Sequence, residues 1–229
     1  MDQKMKEKHY KIHVFRFDPL KDNDYFFKQY LVPVKGLRTI LDALIYIRDN
    51  EDGTLAFRSS CEQGRCGSCA VHANGRYGLA CEMPLKKGKN VIRPLGQLPV
   101  IKDLMVDMSR FWEKYETIKP YIVRKNNEMG QSYQNRLEMD EIIDCILCGA
   151  CFSACLMTGM NPEFHGPAAY LVMNRFLKDE RDAIGEQRLD LVKGENGVFR
   201  CHNMFNCNEA CPKKLKPAEN ILDIKKSIR

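Results

Sequence analysis

No stretch of this chain approaches the roughly 18 consecutive apolar residues that a membrane-spanning helix requires, so no segment reads as a membrane anchor. The opening segment, MDQKMKEKHYKIHV, lacks an apolar core and carries Asp2 and Glu7. That excludes a secretory signal and disfavours a transit peptide, and a soluble cytoplasmic chain is expected. The sequence has no glycine-rich dinucleotide fingerprint and no catalytic acid–base constellation. Chemistry on an organic substrate is therefore expected on other chains. Basic residues are not interleaved with stacking aromatics, which leaves nucleic acid a poor partner. Tryptophan occurs once, at Trp112, within an apolar periodicity that reads as core.

What is present is a chain of 229 residues, enough for one large domain or two modest ones. Lys and Arg outnumber Asp and Glu by 36 to 30, a net charge of +6. Lysines gather at both ends, at Lys4, Lys6, Lys8 and Lys11 and again at Lys213, Lys214, Lys216, Lys225 and Lys226. Solvated ends account for them; a docking surface for anionic headgroups or an acidic partner is the alternative. Cysteine is the outlier, at eleven. In a reducing compartment disulfides are rare and metal binding is the better expectation, and an odd count opposes a fully paired framework.

The first half reads as strands around one helix. HYKIHVFRF (9–17) and DYFFKQYLVPV (24–34) have the β-branched and aromatic content of paired strands, and NVIRPL (90–95) closes the half as another. In RTILDALIYIRDN, Thr39 is a plausible N-cap, and apolar positions 40, 41, 44 and 45 form one helical stripe. Then SSCEQGRCGSCAVHANGRYGLAC supplies Cys61, Cys66, Cys69 and Cys81. Asn74-Gly75 predicts a type I′ hairpin that folds Cys81 back toward the other three. C-x4-C-x2-C with a distant fourth cysteine is the plant-type [2Fe–2S] spacing. Gly64 and Gly67 permit the tight loop that aims backbone N–H groups at sulfur, and Arg65 adds positive charge. Zinc also accepts four thiolates but usually pairs two short knuckles, so the loop favours a cluster. His72 is expected as a strand residue rather than a ligand.

From Pro99 to Pro120 apolar residues recur at 100, 101, 104, 105, 108, 111, 112, 115 and 118, predicting one helix, with the domain boundary near residue 106. The polar stretch 119–138 is expected to be a surface connection. Beyond it the chain reads as helical, with Pro167 opening a helix through GPAAYLVMNRFLKDERD and a closing helix at PAENILDIKKSIR. CILCGACFSAC gives Cys145, Cys148, Cys151 and Cys155 in a C-x2-C-x2-C-x3-C run. CHNMFNCNEACP repeats that spacing with Cys201, Cys207 and Cys211, but Met204 fills the second ligand position. In two-cluster ferredoxins the fourth cysteine of each run ligates the other run's cluster. That rule gives Cys145, Cys148, Cys151 and Cys211 to a [4Fe–4S] cluster. Cys155, Cys201 and Cys207 remain, three thiolates suited to [3Fe–4S]. A [4Fe–4S] cluster completed by the Met204 thioether, water or hydroxide is the alternative, disfavoured because the thioether is a weak neutral ligand.

The full length resembles the iron–sulfur subunit of the succinate dehydrogenase and fumarate reductase family. The resemblance rests on both cysteine regions, on MNPEFHGPAAY and on RFLKDERD between the runs. It implies an α+β chain: an N-terminal β-grasp [2Fe–2S] ferredoxin domain, residues 1–106, and a C-terminal α-helical two-cluster domain, residues 107–229. It implies a flavoprotein partner that interconverts succinate and fumarate at FAD, and an integral-membrane anchor with quinone near the [3Fe–4S] cluster. Such a chain is a peripheral membrane protein on the cytoplasmic face of the cell membrane; whether the anchor holds haem is left open. The family's quinone-proximal positions correspond to Leu156 to Met160, with His202 and Met204. His202 is open to two readings, a quinone contact or a histidine near a cluster sulfur, whereas His165 is expected to pack. Gly159-Met160 replaces the tryptophan pair of ubiquinone-using members, and GMNPEF looks more like menaquinone-linked fumarate reductases. A relative that passes electrons to thiols or a disulfide is the alternative, and a zinc-stapled binding module is a more distant one.

Overall fold

The computed structural model describes residues 9–124 and 130–228. Lys4, Lys6 and Lys8, and the centre of the 119–138 connection, lie outside the described residues. The chain divides into two units, Met1–Asp107 and Met108–Arg229.

In the first unit β1 (His9–Arg16) and β2 (Phe26–Pro33) pair antiparallel, with His9 opposite Pro33 and Arg16 opposite Phe26. β3 (Ala70–Ala73) and β4 (Arg76–Leu79) form a hairpin across Asn74 and Gly75. Both turn residues have positive φ, +53° and +83°, as a type I′ turn demands. β5 (Lys89–Arg93) lies parallel to β1 and antiparallel to β3, giving a mixed sheet of order β2-β1-β5-β3-β4. Alternation along β1 sends Ile12 and Val14 inward, and both are fully buried.

Helix α1 (Ile40–Asn50) contributes Ile40, Leu41, Leu44 and Ile47 to the core of this unit. It starts at Thr39 through a capping box: the hydroxyl accepts from the Asp42 N–H and the Asp42 carboxylate accepts from the Thr39 N–H.

The segment from Pro99 to Pro120 is not one helix. It forms β6 (Val100–Lys102) and β7 (Met105–Val106), and helix α2 covers only Ser109–Thr117. The cause is Asp103, at φ +49°. Its carboxylate accepts from Arg16 Nε (2.9 Å) and from the backbone N–H groups of Phe17 (3.0 Å) and Ala56 (2.9 Å). These long-range bonds fix a turn that a helix could not accommodate. Trp112 is not core either; it is 40% exposed, while its neighbour Phe111 points inward at 2%. On a short amphipathic helix, adjacent residues are about 100° apart, so only one of the pair can face the interior.

In the second unit the polar connection contains a helix, α3 (Tyr133–Met139), capped by the Ser132 hydroxyl accepting from Asn135 N–H. Short helices α4 (Ala150–Ala154) and α5 (Leu156–Met160) follow the first cysteine run. Helix α6 (Pro167–Lys178) begins at Pro167 and is buried along most of its length. After α7 (Gly185–Val192), a 3₁₀ turn at Val198–Arg200 leads to the second run, α8 (Asn206–Ala210) and the closing helix α9 (Pro217–Ile228). Helices α6 and α9 pack together, as do α4 and α8. Asn174 on α6 donates to Asn220 on α9 at 2.8 Å, a buried pair whose polarity is satisfied within the core.

Candidate metal centres

In the first unit the segment 61–69 is a turn-rich loop. Gly64 and Gly67 have φ of +70° and +74°, the left-handed values that the loop needs. The chain thereby aims its amides at sulfur. N–H groups of Gln63, Arg65 and Cys66 lie 3.5, 3.4 and 3.3 Å from Cys61 Sγ, and Gly64 N–H lies 3.2 Å from Cys81 Sγ. The hairpin brings Cys81 Sγ to 3.4 Å from Cys69 Sγ. The N-terminus of α1 holds the returning segment: Leu41 N–H donates to Ala80 O and Ile40 N–H to Met83 O, each at 2.9 Å.

The thiols of this loop are not alike. The Ser68 hydroxyl, with hydrogen bonds around Cys61, brings exposed Cys66 down to about 6, whereas burial pushes Cys69 up to about 12. His72 sits in β3 against Tyr77, with ring centroids 4.7 Å apart, and serves as a strand residue.

In the second unit the seven cysteines separate into two cavities. Cys145, Cys148, Cys151 and Cys211 line one, together with Leu147, Ala168 and Pro212. Cys155, Cys201 and Cys207 line the other, with Leu156, His202 and Met204 in the same wall. Met160 is not in that wall; it lies at the end of α5, 77% exposed. The sequence reading missed Phe164, Asn203 and Phe205, which also line the second cavity. Asn203 and Phe205 adopt φ of +54° and +61° without being glycine, and no residue pattern announces that. His202 is exposed and lies within the wall. His165 packs against Tyr170 at 5.7 Å between ring centroids.

Burial pushes the Cys148 thiol up to about 11 and Cys207 up to about 12, with Cys155 and Cys201 adding to the latter. Burial also holds the Cys151 thiol well above its ordinary value, with Cys148 and Cys145 adding to the effect. Buried thiols of this kind form thiolates only beside a compensating positive charge. Among the described residues, no group of three or more His, Cys, Asp or Glu side chains closes on a single metal ion. All-sulfur donor sets spread around cavities fit polynuclear iron–sulfur groups better than one tetrahedral zinc.

A family described as "2Fe-2S iron-sulfur cluster binding domain" matches residues 11–113, and one described as "4Fe-4S dicluster domain" matches residues 141–215. The chain is 36% identical over 228 residues to a fumarate reductase iron-sulfur subunit of Haemophilus influenzae, covering 92% of this chain and 89% of the relative. It belongs to the succinate dehydrogenase and fumarate reductase iron–sulfur subunit family. It is also 41% identical to a mitochondrial succinate dehydrogenase [ubiquinone] iron-sulfur subunit 1 of Oryza sativa, over 196 residues, 82% of this chain and 70% of that one. Among solved structures, a chain of the Mycobacterium smegmatis Sdh1 complex in the apo form superposes with a TM-score of 0.88 at 26% identity, covering 97% of this chain and 96% of that chain. The family has an N-terminal [2Fe–2S] ferredoxin domain with a mixed sheet and a C-terminal helical [4Fe–4S] domain, the order seen in this chain. The chain is therefore an electron-transfer subunit of an oxidoreductase.

Proposed function

We propose that this subunit relays electrons between the FAD of a flavoprotein partner and membrane quinone in a succinate dehydrogenase or quinol:fumarate reductase. In this reading Cys61, Cys66, Cys69 and Cys81 hold [2Fe–2S]. Cys145, Cys148, Cys151 and Cys211 hold [4Fe–4S], and Cys155, Cys201 and Cys207 hold [3Fe–4S]. The observation that carries it is the four-and-three partition of the C-terminal cysteines, with Met204 beside the incomplete set.

Bound iron–sulfur groups supply one-electron exchange. The chain's own residues bind and tune. Backbone N–H groups of the 61–69 loop stabilise negative charge on sulfur. The apolar walls of the C-terminal cavities, Leu171 and Leu215 in one and Phe164 and Ile221 in the other, exclude water. Succinate and fumarate chemistry belongs to the flavoprotein.

Among the described residues no helix is long and apolar enough to cross a membrane. We place the subunit on the cytoplasmic face of the cell membrane, held by an integral anchor. Quinone approaches near Leu156, Met160, His202 and Met204 in this reading. The likeness of GMNPEF to the segment of menaquinone-linked fumarate reductases favours menaquinone over ubiquinone.

Purification of the native complex with identification of its chains and quinone, joined to EPR of the oxidised protein, tests this reading. A flavoprotein, an anchor, menaquinone and a [3Fe–4S] signal are expected. Absence of that signal overturns the trinuclear assignment, ubiquinone alone overturns the quinone preference, and an iron-free protein overturns the relay.

A further inference from the structure

Tyr170 stands on α6, one turn after Pro167, whose side chain lines the cavity of Cys155, Cys201 and Cys207. It is fully buried. Its ring packs against Phe164, centroids 5.4 Å apart, and Phe164 is itself a wall of that cavity. Cys155 and Cys201 pack against the apolar cluster to which Tyr170 belongs. Among the described residues the Tyr170 hydroxyl has no hydrogen-bond partner. The His165 backbone N–H faces the same oxygen without closing a hydrogen bond, and as a donor it cannot take the phenol's proton. With an ordinary pKa of about 10, the phenol is protonated at neutral pH and is available as a donor.

A buried hydroxyl with nowhere to place its proton is destabilising, and native cores rarely retain one. Cys155 and Cys201 pack against the cluster that holds Tyr170, and with Phe164 they line the cavity, so the missing acceptor is placed at the group they would hold. We propose that the Tyr170 hydroxyl donates its hydrogen bond to a sulfur of the iron–sulfur group held by Cys155, Cys201 and Cys207, and thereby raises that group's reduction potential. Reduction adds one negative charge to the group, and a donor aimed at sulfur stabilises the more negative state. Tyr170 touches neither quinone nor substrate in this account; it is a positioning and tuning residue. The inference rests on the assignment of those three cysteines to one cluster.

The test is a potentiometric titration of the purified complex, followed by EPR, with tyrosine, phenylalanine or 3-fluorotyrosine at position 170. Tyr170→Phe keeps the ring and removes the donor. It should shift that cluster's reduction equilibrium by about tenfold toward the oxidised form, about 59 mV for one electron. The other two midpoints and the iron content should stay unchanged. 3-Fluorotyrosine, a more acidic donor of nearly the same shape, should shift the midpoint upward. Unchanged midpoints in both variants overturn the proposal, as does a shift shared by all three clusters. If Tyr170→Phe loses the cluster, the 3-fluorotyrosine result decides alone. If the wild-type protein shows four irons at this site, the trinuclear assignment fails while the Tyr170 comparison is read on that cluster's own midpoint.

Discussion

Met204 occupies the backbone position in the second cysteine run that Cys148 occupies in the first. Cys148 stands between two left-handed residues, Leu147 at φ +52° and Gly149 at φ +78°, and Met204 stands between Asn203 at +54° and Phe205 at +61°. Each pair is followed by a five-residue helix, Ala150–Ala154 or Asn206–Ala210. Each helix ends on a cysteine in extended conformation, Cys155 at φ −85°, ψ 119° and Cys211 at φ −75°, ψ 113°. The main chain at Met204 is therefore already shaped to present a ligand.

Met204→Cys should convert the three-thiolate set into a four-thiolate one. The expected result is loss of the oxidised three-iron EPR signal, gain of one iron by analysis, and a lower midpoint potential because a charged thiolate is added. An unchanged three-iron signal with an unchanged iron count would refute it.

Gly64 is held at φ +70° while its N–H points at Cys81 Sγ. A Cβ there would fall 2.1 Å from Glu82 Oε1. The exposed Glu82 side chain can swing away, but the left-handed backbone would still cost an alanine about 1–2 kcal/mol. Gly64→Ala should lower thermal stability by that order and lower the [2Fe–2S] potential by weakening an N–H···S bond. Adding Glu82→Ala should relieve the clash without restoring either property. A single variant with wild-type melting and potential would count against this account.

Local chemistry made much of this architecture legible. Asn74-Gly75 demanded its turn, Thr39 its capped helix and Pro167 its helix start, because each acts within a few residues. The division of the seven C-terminal cysteines between two cavities agrees with the crossover of the fourth cysteine of each run, a long-range rule rather than a local one. The stretch after Pro99 was not legible. Apolar residues at 100, 101, 104 and 105 match a helix locally, and what prevents it is the grip of Asp103 on Arg16 and Ala56, far away in sequence. The second cavity's walls were only partly legible. Phe164 lies outside the cysteine pattern, and the left-handed turns at Asn203 and Phe205 use residues that do not advertise them.

Arg188 is completely buried, and its guanidinium donates to the carbonyls of Ile118, Lys119 and Tyr121 and to Asp182 at 2.6–2.9 Å. It ties α7 to the chain that follows α2. Arg188→Met keeps apolar bulk but leaves the Asp182 charge and several carbonyls unpaired, at a cost of about 3–5 kcal/mol. Adding Asp182→Asn should recover part of that loss. Thermal or denaturant unfolding of the two variants measures it, and a single-variant loss below about 1 kcal/mol would place the pair in the surface-like class.

Lys225 reaches from α9 to the second run, where Nζ donates to Cys201 O at 2.7 Å and Asn203 Oδ1 at 3.1 Å. It clamps the segment that presents Cys201, Asn203 and Met204 to the second cavity. Lys225→Met retains the stem and removes both bonds and the positive charge, so two effects should appear together. The loosened segment should release iron and sulfide from the Cys155, Cys201 and Cys207 site faster than in wild type, and the missing charge should lower that site's midpoint. Lys225→Arg, which keeps a cation but not the ammonium geometry, should restore the midpoint more fully than the retention. EPR intensity followed over time, with a redox titration, separates the two. Loss of all three cluster signals at one rate would mean that Lys225 supports the unit as a whole rather than this segment.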